Sequence, residues 1–191
     1  MDKPLFLFVG KSASGKTTIA NMLASKYEYV QVESYCTRKP RFNGERGHVF
    51  VTEDEFNNLG ELVAYTFYSG NHYGTTLEQI GKSDIYVVDV PGVETLLQKY
   101  KTNRPICIIY FDTTVTTRIH RMIDRGDSDT AIIYRLLQDE ENDWLKQLDK
   151  LVWQSNHVMN RNIELYVVNA NGNQTNILEM VLYYIKQYVR D

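Results

Sequence analysis

The stretch Gly10-Lys11-Ser12-Ala13-Ser14-Gly15-Lys16-Thr17 limits what this chain can fold into more than any other. It follows an apolar run, Leu5-Phe6-Leu7-Phe8-Val9, and precedes a helix-like segment, Thr18 to Lys26. Glycine, four residues, glycine, lysine and threonine between a strand and a helix make a phosphate-binding loop. Successive backbone N–H groups and a helix N-terminus converge there on a phosphate chain. Lys16 adds a positive charge for the terminal phosphates, and Thr17 offers a hydroxyl to Mg²⁺. The loop predicts a nucleoside triphosphate site and, with it, a sheet whose strands deliver such loops at their carboxyl ends.

The rest of the pattern agrees with that sheet. Leu5–Val9, Ile85–Val90, Ile106–Phe111 and Leu165–Val168 read as buried strands, with Tyr29–Val32 as a shorter one. Helical patterns cover Thr17–Lys26, Val93–Tyr100, Val115–Arg125, Thr130–Asn156 and Gln174–Tyr188. Strands alternating with helices predict an α/β fold of the P-loop NTPase kind, a parallel sheet flanked by helices. Residues 34–83 interrupt the alternation with short strand-like pieces, His48–Val51 and Leu62–Tyr68, and with turn signals at Asn43-Gly44, Ser69-Gly70-Asn71 and Tyr73-Gly74. Thr52-Glu53-Asp54-Glu55 reads as a capping box. We read one domain: a core of residues 1–33 and 84–191, a small inserted α+β subdomain over 34–83, and a helical lid over about 118–140, broken at Asp124–Asp129.

At 191 residues and a net charge of −3, the chain is no general nucleic-acid binder, although a local basic site for a small anion is allowed. Cys36 and Cys107 are far apart and show no metal-ligand spacing; Cys107 reads as core and Cys36 as part of a polar segment. That usage suits a reducing cytoplasm. The start, Met1-Asp2-Lys3-Pro4, resembles no signal peptide, and no apolar run has the length of a membrane span.

Four further clusters carry chemistry. Ser34-Tyr35-Cys36-Thr37-Arg38-Lys39-Pro40-Arg41 concentrates cations in an acidic protein; it is a solvated basic loop or a second phosphate site. Ser69 to Thr75 reads as a hairpin turn, from which Tyr73 offers a phenol to a phosphate and Thr75 a hydroxyl to a base edge. Asp89 closes an apolar strand; it serves Mg²⁺ or substrate, or caps a helix at Gly92. Arg121 and Arg125 share a helix face, Arg118 lies on a neighbouring part of it, and Arg135 follows the polar break. These arginines belong to a closing lid, or to a solvated face paired with acids such as Asp124 or Asp139.

Taken together, these clusters resemble the guanylate kinase family of nucleoside monophosphate kinases over essentially the whole chain. The ordered matches are Gly10–Thr17, Ser34…Thr37-Arg38…Pro40-Arg41, Gly44-Glu45…Gly47, Phe50-Val51…Glu55-Phe56, Gly70-Asn71-His72-Tyr73-Gly74-Thr75, Asp89…Gly92, Arg121…Arg125-Gly126 and Arg135-Leu136. The resemblance implies transfer of a phosphoryl group from ATP to a monophosphate, most specifically GMP or dGMP. It assigns ATP to Gly10 through Thr18 and Arg125, with catalysis by Lys16, Arg38, Arg121, Arg125 and Arg135. Ser34, Arg38, Arg41, His48, Tyr73, Thr75 and Asp89 hold the monophosphate, and Thr17 and, through water, Asp89 serve Mg²⁺. A monomer or weak homodimer without nucleic-acid or membrane partners is expected.

Two positions depart from the family. His48 stands where a tyrosine grips the phosphate, which adds pH dependence. Ala64 stands where a glutamate accepts from the guanine N1–H and 2-amino group, and a methyl group cannot. A monophosphate kinase of different or relaxed base specificity is therefore an alternative. A non-catalytic binding module of the same fold is another, but such modules usually carry damaged P-loops, and this one is intact.

Overall fold

The computed structural model describes residues 3–102, 104–140 and 143–190. The elements run β1 (Leu5–Val9), α1 (Lys16–Tyr27), β2 (Ser34–Cys36), β3 (His48–Phe50), α2 (Glu53–Asn57), β4 (Leu62–Tyr68), β5 (Asn71–Thr76) and α3 (Leu77–Gly81). They continue with β6 (Ile85–Val87), α4 (Val90–Lys99), β7 (Ile106–Asp112), α5 (Val115–Asp124), α6 (Asp129–Glu140), α7 (Trp144–Val158), β8 (Ile163–Asn169) and α8 (Gln174–Arg190).

The main sheet has the order β6-β1-β7-β8 and every pairing is parallel. β1 has no exposed residue, as a strand covered on both faces requires. Its side chains alternate between two cores. Leu5, Leu7 and Val9 pack with Val93 and Leu96 of α4 and Leu148 of α7. Phe6 and Phe8 pack with Ile19 and Leu23 of α1 and Ile177 and Val181 of α8. The alternation sends β1 straight into the loop at Gly10, between the two helix layers.

A second sheet, β3-β2-β5-β4, is built wholly from residues 34–76; β2 and β3 are parallel and the other pairs antiparallel. It does not have a separate core. Val63 and Ala64 of β4 and Ile80 of α3 are buried in the same cluster as Leu5 and Leu7. The Thr52–Glu55 capping box opens α2 as expected, and a second one, Thr76–Gln79, opens α3.

The structure corrects several sequence readings. Tyr29–Val32 is not a strand; Gln31 forms one parallel bridge to Ile85, and Val32 N–H donates to the Ile85 carbonyl at 2.8 Å. The strand expected over Ile85–Val90 stops at Val87, because Asp89 caps α4 through a 2.9 Å bond from Gly92 N–H. The hairpin turn is confined to Ser69 and Gly70, both with positive φ, while Asn71–Thr76 is a strand. The helix expected over Thr130–Asn156 is two: α6 ends at Glu140 and α7 starts at Trp144. Residues 141 and 142 at that join, like Met1 and Asp2 of the leader argument, lie outside the described residues. Cys36 is buried rather than polar-facing. Among the described residues no helix is long and apolar enough to cross a membrane.

Where the second sheet rejoins the first, Arg104 collects four backbone carbonyls: Lys3 at 2.5 Å, Ile80 at 3.0 Å, Pro4 at 3.1 Å and Ser83 at 2.6 Å. Its side chain is largely buried. Arg104→Ala leaves those acceptors unpaired and is expected to destabilise the fold by about 2–3 kcal/mol. Urea unfolding of the variant beside the parent measures this, and Arg104→Lys, lacking the fork, recovers less than half of the loss.

Candidate active site

At the carboxyl ends of β1 and β6 the chain encloses a cavity of about 540 Å³, walled by the P-loop, the second sheet and helices α5 and α6. Gly10 opens the loop with φ +152°; a Cβ there would lie 2.8 Å from the Phe111 carbonyl oxygen, so the turn requires glycine. Helix α1 starts at Gly15 with no side-chain cap and no acidic residue in its first turn. Its first amides are left for an anion. Lys16 folds back over the loop, donating to the Gly10 carbonyl, to the Lys11 carbonyl at 2.9 Å and to Ser14 Oγ at 3.1 Å. Burial pulls its pKa down to about 8, against the opposing pull of Asp139 and Asp89.

The second sheet forms the facing wall. Glu45 grips Arg38 with two bonds of 2.9 and 2.6 Å and accepts from Arg41 N–H at 2.7 Å and Arg41 Nη1 at 3.3 Å. Burial works against the carboxylate, but the Arg38 bonds outweigh it and hold Glu45 at about 2. Arg38 also lies over the Phe50 ring. The Arg41 pKa falls to about 10, through burial first and then through repulsion from Arg38, Arg135 and Arg125. His48 bonds Ser34 Oγ through Nδ1 at 2.9 Å. Burial and the Arg38 charge lower it to about 4, so the pH dependence expected of this residue moves to the acid side. Tyr73 stands beside it on the cavity wall.

The helical wall brings the remaining arginines. Arg121 Nη1 donates to the Ser14 carbonyl at 3.1 Å, and its Nη2 to the Ala170 carbonyl at 2.7 Å. This ties α5 to the back of the P-loop. Arg125 is paired with Asp127, and Arg135 Nε lies 3.9 Å from the same carboxylate. Arg118 is fully buried and paired with Asp139 at 2.8 Å, a core contact rather than part of a solvated face. Asp89 caps α4 and also faces the cavity, where burial raises its pKa while Gly92 N–H and Lys16 lower it. Of the two roles weighed for it, the helix cap is formed, and the carboxylate also borders the cavity.

Of the residues singled out in the sequence, Gly10, Ser12–Thr18, Ser34, Arg41, His48, Tyr73, Asp89, Arg121, Arg125 and Arg135 line this one cavity. Lys11, Arg38 and Thr75 do not. Lys11 turns outward to Glu140 at 3.1 Å. Arg38 is held behind Arg41 by Glu45. Thr75 is buried and donates to Tyr86 Oη at 2.8 Å, and the Tyr86 ring lines the cavity in its place. Ala64 is buried next to Thr75 across the β4–β5 pair. Gln174 and Ile177 of α8 complete the wall.

Sequence reasoning assigned no role to Glu45, Tyr68 or Tyr86, and gave Asp139 only as a pairing acid on a solvated face. Glu45 carried a signal, its place between Gly44 and Gly47 beside the arginines; Asp139 carried a weaker one, four residues after Arg135 on the same helix face. Tyr68 and Tyr86 carried none. Among the described residues no cluster of three or more His, Cys, Asp or Glu side chains is arranged to hold a metal on its own.

No protein-family model matches the chain. Individual relatives do. A guanylate kinase of Lactobacillus johnsonii is 31% identical over 149 residues, covering 70% of this chain and 72% of its own. One of Lactobacillus acidophilus is 30% identical over 165 residues, covering 78% of each. One of Chlorobium chlorochromatii is 26% identical over 166 residues, 80% of this chain and 87% of its own. The crystal structure of guanylate kinase from Anaplasma phagocytophilum shares the fold, with a TM-score of 0.56 at 17% identity over 98% of this chain and 87% of that one. With P-loop, second sheet and arginine-bearing helices on one cavity, and with these relatives, the chain belongs to the guanylate kinase family.

Proposed function

We propose that the protein transfers the terminal phosphoryl group of ATP to a nucleoside monophosphate, GMP or dGMP in the first place. One observation carries this reading. Lys16 from the P-loop, Arg41 from the second sheet and Arg121, Arg125 and Arg135 from the helices line a single partly desolvated cavity. Burial first, and then repulsion from Arg38, Arg135 and Arg125, depresses the Arg41 pKa. A site with so much like charge is built for a ligand, or a pair of ligands, carrying several negative charges.

The chemistry needs no covalent enzyme intermediate. An ionised monophosphate oxygen is already a nucleophile, and the work left for the protein is alignment and charge stabilisation. The P-loop amides and Lys16 hold the donor phosphates. Arg41 and Tyr73 hold the acceptor phosphate, with Arg38 behind them setting the Arg41 position through Glu45. Arg125 and Arg135 face the space between and neutralise the group in transit. The Thr17 hydroxyl and the Asp89 carboxylate are hard oxygen donors on the same wall and fit a Mg²⁺ ion carried in with ATP. When bound, that ion offsets phosphate charge.

Base selection supports a second reading. Ala64 supplies no acceptor for the guanine N1–H and 2-amino group, and Thr75 is engaged by Tyr86. Among the described residues, the carboxylates on the cavity wall are Asp89 and Asp124. Relaxed base specificity within the same reaction follows from this wall. The intact P-loop weighs against a non-catalytic binding module.

A coupled ADP-release assay across GMP, dGMP, AMP, CMP and UMP tests the assignment. Turnover with GMP and dGMP is expected to be highest, by a smaller margin than a site with a carboxylate gives; equal turnover on all five sinks the guanine reading. Arg41→Ala is expected to raise the KM for the monophosphate by about ten- to a hundredfold, the worth of a charged hydrogen bond of roughly 1.5–3 kcal/mol, and to change the KM for ATP far less. Equal effects on both would remove Arg41 from the acceptor site.

Lys16 sets the alkaline limit. It binds phosphate as an ammonium ion, which is the form present below its pKa of about 8. Asp139 and Asp89 oppose the fall in its pKa, and Arg118 and Arg41 add to it. The kcat/KM for ATP is therefore expected to be flat below pH 8 and to fall about tenfold per pH unit above it. A profile still flat at pH 9.5 contradicts this, and Lys16→Ala is expected to lower kcat severely at every pH.

A further inference from the structure

Three separate parts of the site meet at one phenol. Tyr68 ends β4, at the edge of the second sheet nearest the P-loop, and its ring lines the cavity. Tyr68 Oη accepts from Ser12 Oγ of the P-loop at 3.0 Å and donates to Asp139 Oδ1 of α6 at 3.3 Å. The other carboxylate oxygen, Asp139 Oδ2, accepts from Ser12 N–H at 2.8 Å and from Arg118 Nη1 of α5 at 2.8 Å. Asp139 and Arg118 are both fully buried. Second sheet, P-loop, α5 and α6 are thus joined through a single closed ring of hydrogen bonds.

Each of those parts carries a phosphate ligand a short, stiff distance away. On the second sheet, Thr66, two residues before Tyr68 on β4, is paired with Tyr73 on β5. On α6, Arg135 lies one turn before Asp139, on the same face. On α5, Arg121 lies one turn after Arg118. Movement of the second sheet toward an acceptor phosphate at Arg41 and Tyr73 carries Tyr68 with it. Fixing Asp139 in turn fixes Arg135 and, through Arg118, the helix that bears Arg121 and Arg125.

We propose that Tyr68 is a positioning residue that couples the two phosphate sites, its bonds to Ser12 and Asp139 making occupation of the acceptor site raise the affinity of the donor site, and the reverse. The inference rests on the two-nucleotide reading above. Burial and Asp139 push the Tyr68 phenol up to about 12, so it remains a donor to the carboxylate throughout the working pH range. The coupling is reciprocal, as any linkage between two binding equilibria must be.

Calorimetric titration of the full chain with the non-hydrolysable ATP analogue bearing a β,γ-imido bridge, with Mg²⁺, in the absence and presence of saturating GMP, tests this. In the wild type GMP is expected to tighten the analogue about tenfold, and the analogue to tighten GMP by the same factor. In Tyr68→Phe, whatever each nucleotide's affinity alone, that factor is expected to drop to within about twofold of unity, and in Ser12→Ala, which keeps the Asp139 bond, to an intermediate value. A wild type that binds both nucleotides independently, or a folded Tyr68→Phe that keeps the full factor, overturns the coupling and leaves the kinase reading intact. A wild type that binds neither nucleotide overturns the reading, and the coupling falls with it.

Discussion

Like charge held together in a partly desolvated cavity is the condition on which the rest of this structure depends. Burial, and then repulsion from Arg38, Arg135 and Arg125, lowers the Arg41 pKa, and burial pulls that of Lys16 down to about 8. Such an arrangement costs free energy until an anion enters, so the fold must hold it open by other means. It does so with carboxylates placed behind the cations rather than in front of them. Glu45 grips Arg38 and Arg41 from the side, Asp127 holds Arg125, and Asp139 neutralises Arg118. The faces of Arg41, Arg125 and Arg135 that line the cavity stay available to phosphate.

The scaffold explains why these groups meet at all. β1 alternates its side chains between two helix layers and ends at Gly10, so the P-loop emerges where both layers leave a gap. The second sheet is anchored against that gap because β4 packs into the core shared with β1 and α4, with Lys99 Nζ donating to the Leu62 carbonyl at 3.0 Å. Helices α5 and α6 are pinned from the other side, where Arg121 spans the Ser14 and Ala170 carbonyls. Side chains from segments far apart in sequence therefore converge with little freedom left.

What was legible in the chain before folding was local. The P-loop, the buried strands β1 and β7 and the Thr52–Glu55 capping box are written in contiguous residues with fixed offsets. What was hidden depends on partners distant in sequence. Asn71–Thr76 looks like a turn because Asn and Gly dominate it, and only pairing with β2 and β4 makes it a strand; a Cβ on Gly74 would lie 2.7 Å from Leu62 and 2.9 Å from Phe56, so its glycine serves packing. Tyr29–Val32 has strand composition but follows β6 for a single bridge. Arg118 reads as a surface arginine, and nothing near it in sequence shows that Asp139 buries it. The 127-residue separation between Ser12 and Asp139 puts that bond beyond any pattern of spacing.

Ala64 has a consequence for any redesign of the site. It is fully buried and belongs to the hydrophobic cluster that also holds Leu5, Val93 and Leu96. The resemblance expects a base-reading glutamate at this position; the alanine that stands here is part of the foundation. Putting the carboxylate back would sink a charge among aliphatic side chains, and the neighbouring Thr75 hydroxyl is already committed to Tyr86. Any sharper base preference given to this site must therefore be built on a different wall of the cavity.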